Sequence, residues 1–471
     1  MLQQNDGELE SWDDVLCGRD YLEAVLDGTI ADDDMVLMFS IDGAQLYRMK
    51  QSDTWIYIWI IVNYSPDRRY KKVSIRPGCF VPGPNKPENM DSFLFVGLHH
   101  LVAMQKEGLR IWDALEDRIF VSKIFFLLGL ANAPGMALVS GFVGHTGRVG
   151  CRLYCPLVGR HKAGASTYYP ARFRPDNYNV RGCSHPDIPA DSITDGCVQS
   201  YRSNLRYVKQ SNGPTRFEKR RLKTGISRPS MFTAIEHALP VPRCMSLDIM
   251  HIASLNAPDL VLKLFRGVLD CDREDSKRDW DWAVLKGQVW QQHGQEVAAC
   301  TPFLPGSFDR PPRNPANKIN SGYKAWEFLL YVYGLGPALF YNVLPEKYWK
   351  HFCKLVFAIR IFYQRRITKG QLEAAHQAMI EYNDEFETMY CQRKMSRIHF
   401  VRPVIHTFLH FGPEVSRVGP GACYSQWTME RTIGNLFEEV KQDSNPYINL
   451  SECGLHQCQV NTLKAMVPDL E

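Results

Sequence analysis

Met35-Val-Leu-Met-Phe-Ser-Ile41 is an apolar run broken only by Ser40 and closed by Asp42-Gly43. A strand with one wet face alternates apolar and polar residues; a run without alternation is apolar on both faces. The chain must therefore build a sheet covered on both sides, with a carboxylate at the C-terminal end of a central strand. Trp55-Ile-Tyr-Ile-Trp-Ile-Ile-Val62 is a second such run, ended by the turn-like Asn63-Tyr-Ser-Pro-Asp67, and Lys72 to Phe80 makes a third. Short connections predict an antiparallel three-strand meander. A link rich in Pro and Gly (Pro82, Gly83, Pro84, Pro87) precedes Phe93, Phe95, Leu98, Leu101, Val102 and Gln105, whose three/four spacing predicts a helix. Ile124 to Leu128 is a fourth strand, turned by Ala131-Asn-Ala-Pro-Gly135.

Ile124 to Gly144 carries no charge over 21 residues, a length that suits a bilayer. Asn132, Pro134, Gly135 and Ser140 interrupt it, so it reads as a buried strand, a turn and a second buried element, with no membrane partner. The 14 cysteines lack framework spacing and no signal peptide follows Met1, which points to a reducing intracellular compartment.

At ~150 residues per domain, 471 residues allow about three domains or one with a large insertion. A chain 45% hydrophobic and 23% charged is neither disordered, collagenous nor a coiled coil. The net charge of 55 − 51 = +4 conceals an asymmetry: residues 1–34 hold eleven acids against Arg19, so the remainder carries about +14.

The expected organisation is an acidic leader (1–34), the first part of a sheet domain (35–149), an irregular Cys/His- and Arg-rich insertion (150–235), a strand-to-helix segment (236–270), a mainly helical insertion with a loop-rich start over 272–320 (271–415), and a C-terminal helix with its tail (416–471). Thr368 with Gln371 forms a capping box, ahead of the stripe Leu372, Ala375, Met379, Tyr382, Phe386 and Met389. A last helix from about Ser425 buries Ile433, Leu436, Phe437 and Val440, and stepping back three residues from Ile433 places Glu430 on its packing side. A carboxylate there is paired with a base or ligates a metal. Asp42 is open to the same two readings, as a turn residue or a ligand. Two such acids suit a divalent-metal site for phosphoryl transfer.

Cys151-x3-Cys155, with His161 and Cys183-x-His185 beyond, supplies ligands for a structural zinc in a segment that needs a staple. Reduced, half-buried cysteines are the alternative. His406 and His410, spaced i, i+4, offer a ligand pair, but without the Glu of a His-Glu-x-x-His site they read rather as core histidines. Basic clusters offer phosphate contacts: Arg68, Arg69, Lys71 and Lys72; Arg202, Arg206, Lys209, Arg216, Lys219, Arg220, Arg221 and Lys223, interleaved with Tyr201, Tyr207 and Phe217; and Arg393, Lys394, Arg397 and Arg402.

Asp42-Gly-Ala-Gln-Leu-Tyr47, Pro82-Gly-Pro-Asn-Lys-Pro87, Gly150-Cys-Arg-Leu-Tyr-Cys155, Leu247-Asp-Ile-Met-His251, Gly334-Leu-Gly-Pro337 and Ser425-Gln-Trp-Thr-Met-Glu-Arg-Thr-Ile-Gly-Asn435 together resemble Plavaka-type transposases of fungal mobile elements, relatives of the CACTA group. The resemblance runs from about residue 20 to 460. It implies an RNase H-like α/β domain that carries an acidic triad and is interrupted by a Cys/His-rich irregular segment and a mainly helical insertion, with Mg²⁺ or Mn²⁺ as cofactor, element ends and target DNA as partners, a possible homo-oligomer, and a nuclear location. Asp42 matches the first catalytic acid and Glu430 the last. The second is expected at the end of the fourth strand, where this chain has Asn132; the alternative is Asp248, with Asp248 and His251 otherwise in a supporting role. With only residues 1–34 ahead of the sheet, the upstream DNA-end-recognition domain that such transposases commonly have is expected to be missing. Two functions stay open: a metal-dependent transposase fragment, and a non-catalytic DNA-binding remnant.

Overall fold

Met35–Gln45 (β1) pairs antiparallel with Asp53–Ile61 (β2), Leu37 opposite Ile61 and Gln45 opposite Asp53. Arg76–Val81 (β3) continues the meander on β2, and Ile124–Ala131 (β4) lies parallel to β1, with Ile41 opposite Ala131. The order β3-β2-β1-β4 makes β1 an interior strand, which is why every residue from Val36 to Asp42 is buried. The computed structural model describes residues 9–47, 52–85, 87–308, 310–440, 444–467 and 470. Asp6 and Glu8 of the acidic leader, and Lys86 of the Pro/Gly link, lie outside the described residues.

Beyond β4 the expected strand near 243–248 is present only as bridges, parallel at Phe126/Ala238 and Gly129/Met245. Pro240 and Pro242 have no N–H to donate, so a regular ladder cannot form there. Gln105 compensates locally: its amide donates to the carbonyls of Ile124 and His237, at 2.9 and 2.8 Å.

Met90–Glu107 (α1) covers the sheet with Leu94, Leu98 and Leu101, and β4 leads directly into Ala133–Ser140 (α2). The long uncharged stretch is thus a strand and a helix, and no helix among the described residues is long and apolar enough to cross a membrane. The C-terminal helices Trp427–Glu439 (α7) and Pro446–Met466 (α8) add Met429, Ile433, Leu436 and Leu450 to the same core.

A second core is helical. Glu346–Phe362 (α5) packs on Lys369–Phe386 (α6), whose capping box forms as expected: Gln371 N–H donates to Thr368 Oγ1 (3.3 Å) and Thr368 N–H to Gln371 Oε1 (3.0 Å). Leu372, Ala375, Met379, Tyr382 and Phe386 are buried along the predicted stripe.

Three expectations need correction. The segment expected to be irregular holds two helices, Val198–Lys209 (α3) and Pro214–Thr224 (α4), and Gly287–Ala299 is a helix inside the stretch expected to be loop-rich. A hairpin, Leu109–Asp113 with Arg118–Ser122, stands between α1 and β4. The acidic leader is no separate region, because several of its described acids are bonded to arginines of the body. Asp14 accepts from Arg69 at 2.7 Å, Asp20 from Arg417 at 2.7 Å and Asp33 from Arg118 at 2.9 Å. Ser11–Trp12 also adds a short strand to Ile367–Thr368.

Candidate functional site

β1 and β4 run parallel and their pairing ends at Ile41 and Ala131, so the next residues, Asp42 and Asn132, meet, while β1 continues along β2 to Gln45. Asp42, only 3% exposed, accepts on Oδ1 from the Gly43 N–H (2.7 Å) and from Asn132 Nδ2 (2.6 Å). Gly43 is required: a Cβ there would lie 2.9 Å from the Trp55 ring. Asn132 is the N-cap of α2, its Oδ1 accepting from Gly135 N–H at 2.8 Å. The cap thereby fixes the amide: oxygen to the helix, NH₂ to Asp42.

Asp248, also buried, caps the short helix Ile249–His251 through Met250 N–H at 3.1 Å. Its other oxygen lies 2.5 Å from His251 Nδ1, and His251 Nε2 lies 3.7 Å from Glu430 Oε1. A π-helical turn, Ile252–Asn256, follows His251 directly; such bulges recur at functional sites because they re-aim side chains. Glu430 is 44% exposed, which corrects its expected place on the packing side. Met429, Thr432, Ile433 and Leu436 take the buried face of α7, and Glu430 stands roughly 100° round the helix from Met429. Buried Gln426, just before α7, donates to Ser40 Oγ (3.1 Å), holding that end of the helix on β1.

Asp42, His251 and Glu430 present ligand atoms within 4.8 Å of one another. Burial, then the charge of Glu430, pushes the Asp42 carboxyl up to about 7, against the opposing Gly43 hydrogen bond and His251. Burial alone would lower His251, but its hydrogen bond to Asp248 and the surrounding carboxylates raise it. A carboxyl such as Asp42 that holds its proton near neutrality can exchange it for a cation. Two carboxylates and one imidazole fit a divalent ion, with Asp248 orienting the imidazole from behind. Asp248 lies outside this ligand group, and Asn132 faces Asp42 with a donor rather than a lone pair.

A second cluster joins Cys151, Cys155, His406 and His410. Cys155 Sγ lies 3.4 Å from His406 Nε2, Cys151 Sγ 3.6 Å from His410 Nε2, and the two Nε2 atoms 3.2 Å apart. Tetrahedral ligands ~2.0–2.3 Å from a zinc ion are roughly 3.3–3.8 Å from one another, so the donor set fits. Asp195 Oδ1 lies 2.8 Å from His410 Nδ1, the outer carboxylate such histidines usually have. The Cys155 hydrogen bond, opposed by burial, and the two histidines hold the Cys151 thiol well down.

The cluster corrects the expected ligand set. His161 Nδ1 is 2.8 Å from the Ala165 carbonyl, and His185 uses both nitrogens on the carbonyls of Val158 and Pro186. Cys183 is buried in the helical core. The true partners of Cys151 and Cys155 come from a helix and turn some 250 residues later, where His406 and His410 read as core residues. The signal that could have found them is the matching spacing, Cys-x3-Cys and His-x3-His, one donor pair completing the other.

The basic clusters also sort by burial. Arg69 is 1% exposed and bonded to Asp14 and the carbonyls of Tyr64 and Val62, so it is no phosphate contact; Arg397 is equally buried against Asp275. Arg68 and Lys71 are exposed, Lys72 pairs with Glu439, Arg393 with Asp187 and Arg402 with Asp259. On α3 and α4, Arg202, Arg206, Lys209, Arg216, Lys219 and Lys223 are exposed, while Arg220 and Arg221 are half-buried. Tyr201 is buried and cannot stack on a base, and Arg220 covers one face of the exposed Tyr207 ring at 4.2 Å.

Residues 29–170 match the family model described as Transposase family tnp2. No curated protein matches the chain. The match supports a transposase-like function and, with it, DNA binding. It spans β1 to β4 and includes Asp42, Asn132, Cys151 and Cys155; Glu430, His251, His406 and His410 lie beyond it.

Proposed function

We propose that the chain is a DNA-binding, transposase-like protein with an RNase H-like core, in which Asn132 stands where the second metal-binding acid belongs and leaves strand cleavage weak or absent. The observation that carries this reading is the 2.6 Å hydrogen bond from Asn132 Nδ2 to Asp42. An acid at this position would give β1 and β4 a carboxylate each, facing Glu430. The amide instead spends a hydrogen-bond donor on Asp42, occupying a lone pair that a cation would use. The strand order, the covered sheet and the late helix bearing Glu430 all suit an RNase H-like arrangement. The resemblance extends the reading to a remnant of a Plavaka-type element acting in the nucleus.

Asp42, His251 and Glu430 would hold a magnesium or manganese ion. When bound, it stabilises charge on the attacking and leaving oxygens of a phosphodiester. Asp248 keeps the His251 ring turned toward that site, and the Gly43 N–H keeps Asp42 in place. Cys151, Cys155, His406 and His410 would hold zinc, tying the 150–156 loop to the helical core one step from His251.

The test is nicking of labelled duplex DNA with Mn²⁺. Wild type should be nearly inert, Asn132→Asp should cleave, and Glu430→Gln added to it should abolish the gain. A folded Asn132→Asp protein that remains inert overturns the assignment. The position of His251 favours a second reading, in which the imidazole replaces the missing acid. Wild type would then nick DNA, and His251→Ala would not.

A further inference from the structure

Two adjoining cavities open behind His251. The first, about 90 Å³, is lined by His251, Arg152, Phe142, Val404 and Tyr168 among others. The second, about 470 Å³, is lined by Arg148, Tyr168, Lys219 and Arg221. Val143, Gly147, Arg148 and Tyr168 line both, so the two form one trough from the active-site histidine across the 143–170 loop to α4. One water needs about 10–15 Å³ in this measure, so the first cavity has room for roughly six waters or more, enough for a flat ring, and the second for several times that.

The trough is built for an anion with apolar parts. Arg152 donates to the Ala131 carbonyl at 2.6 Å, immediately before Asn132, and its Nε is buried without a partner. Arg148 is anchored on the Gly182 carbonyl at 2.7 Å. Arg221 is steadied by Ser227 (3.2 Å) and Glu218 (3.0 Å), whereas Lys219 is exposed and makes no ion pair among the described residues. Against these four cations the lining holds one carboxylate, Glu218. Between them lie Met136, Phe142 and Val404. Cations spaced along a groove with apolar and aromatic walls are how single strands are bound: the cations follow the backbone and the walls take the bases.

We propose that a single DNA strand leaving the Asp42–Glu430 site lies in this trough, its phosphates met in turn by Arg152, Arg148 and the Lys219/Arg221 pair, with an unstacked base in the first cavity against Tyr168. The assignment to DNA rests on the transposase-like reading; the trough itself does not depend on cleavage. A paired base cannot enter a cavity of this size, so the site discriminates single strands from duplex.

Binding of a short labelled single strand is measured by anisotropy at low salt without added Mg²⁺ or Mn²⁺, so the result is read whether or not Asn132→Asp cleaves. Wild type should prefer the single strand over its duplex. Lys219→Glu with Arg221→Glu, both on the surface of α4, should weaken single-strand binding at least about tenfold, and Arg148→Glu should weaken it further. Arg110→Glu, on the exposed hairpin, should change it less than about twofold. A 2-aminopurine base in the bound strand should brighten as it unstacks. Equal affinity for duplex, equal loss in Arg110→Glu, or tighter binding of the same sequence as RNA overturns the proposal.

Discussion

Asn132 Nδ2 donates to Asp42 Oδ1 across 2.6 Å, while Asn132 Oδ1 caps the helix that follows β4. Both ends of the amide are committed, one to the fold and one to the acid. The site therefore carries an internal substitute for part of what a cation would do, and the substitution has a thermodynamic signature.

Asn132→Asp should lower stability without divalent ions by about 1–3 kcal/mol, because a lost donor becomes a second carboxylate beside a buried one. The cap survives, since Asp serves as well as Asn. Added Mn²⁺ should raise the variant's melting temperature above its metal-free value by several degrees more than it raises wild type's. Thermal melts with and without Mn²⁺ check this; identical metal responses would remove Asn132 from the site.

Purified protein should contain about one equivalent of zinc by elemental analysis. Cys155→Ser or His410→Ala should lose it and melt earlier, while Cys183→Ser and His185→Ala should keep it. Less than about half an equivalent in wild type removes the metal from the Cys151/Cys155/His406/His410 cluster.

Arg417 is bound to Asp20 and Glu414 and to the carbonyls of Arg243 and Met245, while Glu414 also accepts from Leu247 N–H at 2.9 Å. This buried network sets the chain just ahead of Asp248. Arg417→Ala leaves the buried Glu414 without a base and strips Asp20 of one of its two arginines, Arg243 remaining, and should cost about 3–5 kcal/mol in chemical denaturation. Asp20→Asn, which keeps the volume and removes one charge, should cost less.

His351 Nε2 donates to the Tyr382 carbonyl (3.0 Å) and its ring stacks on the Tyr382 ring at 4.1 Å; burial lowers its pKa from 6.5 to about 4. On acidification the unfolded chain takes up this proton near 6.5 and the folded chain does not until about 4. Stability is therefore lost as pH falls through that window, by up to about 3 kcal/mol. His351→Gln removes the dependence. The melting temperature of wild type should fall relative to the variant between pH 6.5 and 4.5, and parallel curves would refute the assignment.

Elements whose signal is local were legible. The unalternating runs of β1 and β2, the α6 stripe and the Thr368/Gln371 box all formed as their periodicity required, whereas α1 buries Met90 and Leu94 ahead of Leu98, Leu101 and Gln105 and leaves Phe95, expected on the stripe, 53% exposed. The elements missed were those with mixed signals. Gly287–Ala299 buries Trp290, His293 and Val297 at three/four spacing, but flanking prolines masked it. α3 and α4 are so rich in arginine that their burying residues, Tyr201 and Val208, are sparse. Glu430 was placed on the wrong side of its helix because one three-residue step from Ile433 cannot tell the middle of a stripe from its edge.

The sequence by itself determined a covered sheet with Asp42 close to the C-terminal end of its central strand, a late helix bearing Glu430, and a cysteine pair in need of partners. Each follows from hydrophobic periodicity or spacing over a few residues. Only the tertiary structure decided that Asn132 faces Asp42, that His251 stands between Asp248 and Glu430, and that His406 and His410 complete the cysteines. It also decided that Arg69 belongs to Asp14 rather than to a ligand. Apart from Asp248 and His251, three positions apart, these pairings join residues tens to hundreds of positions apart. Their partners are chosen by which strand ends lie side by side and which charges are buried together, and no local pattern encodes that choice.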